Sequence, residues 1–416
     1  MSARDPPAGS ASDAGVGQPG YAVVEPGSSV HRELSELRRD LHAHPELGFQ
    51  EVRTSELVAG KLRAWGLEVA EGVGSTGVVG TLRGSRPGGR AVGLRADMDG
   101  LSIAEQSGLP YASRVPGVMH ACGHDGHTAV LLGAARHLAG NPDFAGTVHL
   151  IFQPAEEGLG GARAMIEDSL FQRFPCDAVY GLHTAPGLPV GVIATTTGPL
   201  MAAAGTFEVT FAGSGGHGGQ GAHLTADLMV LQANFVMALQ AVVARDVPAV
   251  EPAVISVGHI SAGSAGAPNV MPAEVSLSGT VRCFSKDIQA LLDSRIEQLA
   301  ESLATAYGAT ADARVNWITP PLINPPEQAT IVARAATAAV GEGNVITTMP
   351  PVTGGEDFAF MMDATPGAFV FLGNGASPDG TVHNVHTPAY DFNDEALPTG
   401  VTFWVRLVSQ QLCDRT

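Results

Sequence analysis

The chain has 416 residues, 44% of them apolar, with 41 acidic against 23 basic side chains and a formal charge of −18. That length exceeds one compact core and predicts two domains. The acidic balance argues against nucleic-acid or anionic-membrane partners, which need basic surfaces. The scattered cysteines Cys122, Cys176, Cys283 and Cys413 lack the spacing of a disulfide framework and read as reduced thiols of a cytoplasmic protein.

Residues 1–29 are rich in Gly, Pro, Ser and Ala, with neither the basic nor the apolar segment of a signal peptide, and are expected to form a disordered tail. No apolar run reads as long enough to span a bilayer. From His31 the pattern turns helical in "HRELSELRRDLHAHPEL" and "TSELVAGKLRAWG". "AVGLRADMD" (91–99) predicts a buried strand, "HTAVLLGAARHLAG" a helix, and "GTVHLIFQPAEE" (146–157) a strand running into a loop. "DAVYGLHTAP" predicts another strand. This alternation predicts an α/β domain, a mostly parallel sheet covered by helices.

The texture changes near Gly198. A strand ends in the Gly-rich "GSGGHGGQGAH", a helix follows over about 225–244, then two strands, a helix from about Lys286 to Tyr307, and the strand "ARVNW". That β-α-β-β-α-β order predicts an inserted ferredoxin-like α+β domain. "TPPLINPP" reads as the linker back, and α/β texture resumes with "GAFVFLGNG" and a helix from about Asp394. The expected division is a discontinuous domain over 30–198 and 319–416, with the insertion at 199–318.

Metal-ligating residue types recur after the predicted strands. Cys122 and His124 sit in "CGHDGH", Glu156 and Glu157 follow "LIFQPA", His183 follows "VYGL", and His383 and His386 follow "FVFLG". Open α/β sheets build their sites at the carboxyl ends of strands, so four such loops can converge. Taken singly, a histidine after a strand, a Glu pair or a free cysteine is more often structural; the combination carries the reading.

The blocks "LRRDLHAHPELGFQE", "LRADMDGL", "HACGHDGHTAVLLGAA", "FQPAEEG", "GLHTAPGLPVG", "APNVMPAEVSLSGTVRCF", "GGEDFAF" and "VHTPAYDFNDEALP" resemble, in order, the aminoacylase, hippurate hydrolase and indole-3-acetyl-amino-acid hydrolase family of dinuclear metallo-amidohydrolases. The resemblance implies a catalytic α/β domain binding two divalent metal ions per chain, manganese or zinc, with cobalt and nickel as alternatives. It also implies a smaller lid domain that mediates assembly into a homodimer or higher homo-oligomer, and a small-molecule N-acyl amino acid as substrate. Matched residue by residue, the implied ligands are Cys122, His124, Glu157, His183 and His386, with Glu156 as general acid/base; Asp99, in "DMD", is a candidate carboxylate for orienting a ligand histidine. In the lid, His217 is implied to reach the reacting carbonyl oxygen, commonly from a partner subunit, with Asn269 and Arg282 as substrate-binding residues. His223 stands six positions after His217, one more than is usual in the family. Other readings of the same residues are a dipeptidase or carboxypeptidase of the same clan, a Cys–His nucleophilic hydrolase using Cys122, and a metal-bearing binding protein without catalysis.

Overall fold

The computed structural model describes residues 22–377 and 379–412. Most of the expected tail, and Cys413, lie outside them. The tail's last stretch is not loose: Val24 is buried in the main core, the Val23 N–H donates to Thr402 Oγ1 at 3.0 Å, and Ser28 caps the helix Ser29–Ala43. Two apolar valines in a Gly/Pro-rich context were enough to anchor it.

An eight-stranded sheet forms the larger layer. Its centre is parallel, with Arg86–Asp97 between Ala145–Gln153 and Ala178–Pro186, and Gly367–Gly375 beyond. The strands Glu68–Val73 and Gly77–Arg83 add an antiparallel edge on one side, and Ile193–Ala194 with Val345–Ile346 close the other. Central strands covered on both faces are largely apolar: in Gly367–Gly375 every residue but the last is buried. The helices His124–Gly140 and Leu397–Leu412 pack in the core on one face, and Phe358–Ala364 packs on the other.

The second sheet is antiparallel and four-stranded, in the order Ala253–Ala262, Glu274–Cys283, Ala203–Ala212, Thr310–Thr319. The helices Leu228–Ala241 and Lys286–Ala306 cover one face of it and close a separate core. This is the expected ferredoxin-like unit. The linker reading is corrected in one respect. Leu322–Asn324 pairs antiparallel with Gly198–Met201, so the outgoing and returning chains bond to each other. Asn324 is buried there, donating to Thr195 Oγ1, Thr196 O and Phe369 O at 3.1, 3.1 and 2.9 Å.

A second correction concerns apolar length. The helix from Leu228 continues through a wider turn to Asp246, giving 19 residues of mean hydropathy 1.5, long and apolar enough to cross a membrane by length and composition. Leu228, Leu231, Phe235, Leu239 and Val242 recur at three- and four-residue spacing and fill the second core. Met229, Val230 and Met237 lie exposed. The run is apolar because both of its faces are, which composition alone did not separate.

Candidate metal centre

The parallel strands end on one edge, and the predicted ligands gather there. Arg86–Asp97 leads into Asp99, and Ala145–Gln153 leads into Glu156 and Glu157. His183 lies near the end of Ala178–Pro186, and His386 follows Gly367–Gly375. Cys122 and His124 flank Gly123, the left-handed cap (φ 86°) of the helix His124–Gly140. A side chain at Gly123 would place its Cβ 2.5 Å from Tyr390 Oη and 2.7 Å from Thr184 Cγ2, so the close turn that brings Cys122 beside His124 requires glycine.

Adjacent residues of an extended strand point to opposite faces, so Glu156 and Glu157 need a bend to serve one site. Ala155 provides it, with φ at 51°, its N–H donating to Glu51 Oε1 at 2.8 Å and its carbonyl accepting from Gly161 N at 3.0 Å. His386 is also left-handed, with φ at 63° and its N–H bonded to Ala121 O at 2.7 Å. Non-glycine residues in this region are uncommon and cluster at functional sites.

The donors meet. Cys122 Sγ lies 3.3 Å from both His183 Nε2 and His386 Nε2. Glu157 Oε1 lies 3.1 Å from His386 Nε2 and 3.9 Å from His124 Nε2. Two triads, Cys122–His124–His183 and Cys122–Glu157–His386, each hold their donor atoms within 4.8 Å of one another and share the thiol. His124 Nε2 and Glu157 Oε1 are buried with no hydrogen bond. Buried polar atoms are rarely left so, and these two face one another across a cluster of lone pairs. The donor set fits divalent cations.

The electrostatics agree. Burial, then Glu157, pushes the Cys122 thiol well above its ordinary value in the bare chain. Adjacent cations, when bound, would supply the charge that stabilises the thiolate. His183 donates from Nδ1 to Thr184 O at 2.7 Å, and burial with His127 nearby holds it well below the usual imidazole range. With Nδ1 as the donor, Nε2 is the acceptor nitrogen, 3.3 Å from Cys122 Sγ. For His124, burial works downward but is outweighed by Asp97 and the Asp99 hydrogen bond, so its value lies well above the ordinary one.

Asp99 lies beside His124. Its Oδ1 is 3.1 Å from His124 Nδ1, and its Oδ2 accepts the Glu157 N–H at 3.0 Å, so one carboxylate fixes two donors. His383 is not among the donors. The lid residues do not join them within one chain. The pocket of about 690 Å3 that contains Cys122, Glu156, Glu157, His183 and His386 is lined by none of His217, Asn269 and Arg282. His217 is exposed; its Nδ1 accepts from Gly219 N at 3.1 Å and Gln220 N at 3.0 Å, and Gly218 N bonds to Asn269 O at 2.8 Å. Arg282 turns back on carbonyls, bonding to Val281 O at 2.8 Å and Gly205 O at 3.3 Å.

The structure adds residues that the sequence reading left without roles. Arg95, fully buried, donates to Gln153 Oε1 at 2.8 Å, Asp97 Oδ2 at 2.7 Å and Glu356 Oε1 at 2.9 Å. Asp357 accepts from Gln153 Nε2 at 2.7 Å and Ala162 N at 2.9 Å, and its own N–H donates to Glu156 Oε1 at 3.2 Å. Burial, followed by Glu356, Asp357 and Glu157, pushes the Glu156 carboxyl well above its ordinary value. His127 has both ring nitrogens engaged, with Asp97 Oδ1 at 2.7 Å and Thr184 N at 2.9 Å, so it buttresses the site and is no ligand. "GGEDFAF" and "LRADMDGL" carried the signal for this layer, but spacing alone does not reveal a buried arginine ringed by carboxylates.

The profile of the peptidase family M20/M25/M40 matches residues 93–410, which span every donor named above. The chain belongs to this family. This M20 chain is 37% identical over 372 residues to thermostable carboxypeptidase 1 of Saccharolobus solfataricus, covering 88% of its own length and 92% of the relative's. It is 36% identical over 380 residues to the hippurate hydrolase of Campylobacter jejuni, covering 91% and 97%. A Bacillus subtilis crystal structure described as a dinuclear metal-binding peptidase of the M20 family superposes with a TM-score of 0.79 at 34% identity, covering 91% of this chain and 97% of that one. The M20 chain thus carries the donors of a divalent metal centre on a shared fold.

Proposed function

We propose that the protein is a metal-dependent amidohydrolase that cleaves the amide bond of N-acyl amino acids to a carboxylic acid and an amino acid. The carrying observation is the meeting of the two thiol-sharing donor triads beside Glu156, all of them but the fully buried His124 lining one pocket. The hippurate hydrolase relative supports the substrate class, since hippurate is N-benzoylglycine. We assign Cys122, His124, Glu157, His183 and His386 as metal ligands, Asp99 as the carboxylate that orients His124, and Glu156 as the general acid/base.

Divalent cations, when bound, polarise the amide carbonyl and make water a nucleophile at neutral pH. The chain's residues do the rest. Glu156, its carboxyl steered by the Asp357 N–H, takes the proton of the attacking water and delivers it to the leaving nitrogen. A raised proton affinity suits a group that must both accept and give a proton near neutrality. His217 donates to the carbonyl oxygen as negative charge develops, and Arg282 holds the substrate carboxylate. Because neither lines the pocket within one chain, we assign their arrival to lid closure and to a partner subunit.

The homodimer reading is supported by the lid surface. Met229, Val230 and Met237 are exposed on one helix face, and the neighbouring edge strand Ala253–Ala262 exposes Val254 and Ile260. Unpaired edges and exposed apolar faces mark association surfaces. Zinc suits the thiolate, manganese the family resemblance; a ligand thiol points to a reducing, cytoplasmic setting.

The carboxypeptidase relative favours a second reading, cleavage of unblocked peptides. Assaying N-acetyl and N-benzoyl amino acids beside free dipeptides, with manganese, zinc, cobalt or nickel added, separates the two. Hydrolysis of blocked substrates alone is the expected result, and dipeptide cleavage alone overturns it. Elemental analysis is expected to find two divalent ions per chain.

A further inference from the structure

The pocket at the metal centre is larger than amide cleavage requires. Its volume of about 690 Å3 falls in the ~300–1,000 Å3 range of sites that enclose a whole small molecule. Beyond the donors, its wall is apolar, built from Leu188, Met201, Ile346, Met349, Val352 and Phe371. Backbone bonds fix that wall. Ile346 pairs with Ala194, which pairs with Phe371. Val352 N–H donates to Leu200 O at 3.0 Å, and Ala202 N–H to Val352 O at 3.1 Å. Ile346 and Val352 stay 38% and 36% exposed inside this concavity.

The lining decides which half of a substrate enters. Glu156, Glu157 and Glu356 line the pocket, and no Lys or Arg does. The wall beyond the donors offers no cation to pair with the carboxylate of an N-acyl amino acid, and its apolar surface fits the uncharged acyl half. An acetyl group would leave most of the wall uncovered. Two methionines in the wall can repack around apolar groups of different shape.

We infer that this wall is an acyl-group gauge: the enzyme prefers large apolar acyl groups, aryl or medium-chain alkyl, over acetyl, and Met201, Ile346, Met349 and Val352 set that selectivity. The inference rests on the amidohydrolase reading above and deepens it.

The test uses the metal-loaded enzyme and N-acetyl, N-butanoyl, N-hexanoyl, N-octanoyl and N-benzoyl derivatives of one amino acid. The kcat/KM is expected to rise about fourfold per methylene until the pocket is filled. Met349→Trp, which fills the wall, is expected to lower the octanoyl-to-acetyl ratio of kcat/KM at least about tenfold, and Met349→Leu to keep it. Should Met349→Trp fail to fold or to hold metal, Ile346→Ala takes its place, with the optimum expected one or two methylenes longer. Calorimetry with octanoate and acetate gives a readout without turnover, octanoate binding more tightly. A series that is flat or peaks at acetyl overturns the inference and leaves the amidohydrolase reading standing. No hydrolysis of any member with both metals bound overturns that reading instead; octanoate binding no tighter than acetate then removes the gauge as well.

Discussion

At the scale of single residues, Glu156 and Glu157 are neighbours with different surroundings. Glu156 is buried among Glu356, Asp357 and Glu157, whereas Glu157 faces His386 and His124. Glu156→Gln keeps the size and removes the proton acceptor. It is expected to lower kcat at least about 100-fold with the metal content unchanged. Glu157→Gln is expected to lose metal. Kinetics paired with elemental analysis of the two variants checks both, and an exchange of phenotypes would reverse the roles.

Among the elements, the helix His124–Gly140 positions the site, and two features hold its start. Gly123 is left-handed and packed against Tyr390 and Thr184. Gly123→Ala combines backbone strain of about 1–3 kcal/mol with a steric clash. A lower urea midpoint and weaker metal retention are expected. The second feature is His42, buried with its Nδ1 2.8 Å from Asp125 Oδ2 and its Nε2 3.3 Å from Glu105 Oε1. Burial alone would depress its pKa, but Asp125 and the Glu105 hydrogen bond outweigh that and push it up to about 9. An unfolded histidine titrates near ~6.5. The folded value is the higher one, so protonated His42 stabilises fully below about pH 6.5, and the contribution is lost as pH rises through about 9. The stability gap between wild type and His42→Asn is expected to reach up to about 3 kcal/mol near pH 6 and to shrink by pH 9–10, read from urea unfolding at fixed metal. A gap independent of pH would mean that His42 acts only through packing.

For the whole molecule, the open question is how the lid completes the site. If His217 is the transition-state donor proposed above, the kcat of His217→Ala is expected to fall about 100- to 1,000-fold. If Arg282 is the proposed clamp, used in both ground and transition states, the KM of Arg282→Ala is expected to rise with kcat little changed. If a partner supplies His217, breaking the assembly should mimic its loss. Met237→Glu puts a charge on the exposed lid-helix face and is expected to yield monomers by light scattering, with kcat lowered as in His217→Ala. Monomers with full turnover would show that each chain completes its own site.

By itself the sequence determined the α/β class, the ferredoxin-like insertion, and a donor set that the fold does bring together. Each of those is a local matter. Strand and helix periodicity is written over a few residues, and Cys, His and Glu after strand ends converge because parallel strands share an edge. Distant packing decided the rest. The bend at Ala155, the Arg95 cluster and the His42–Asp125 pair join segments from 58 to 261 positions apart along the chain in their side-chain contacts, apart from the local bond of Arg95 to Asp97. The absence of His217, Asn269 and Arg282 from the pocket of a single chain was also beyond any motif. Whether two elements meet depends on how the lid is carried by the paired crossings Gly198–Met201 and Leu322–Asn324, and that geometry belongs to the fold as a whole.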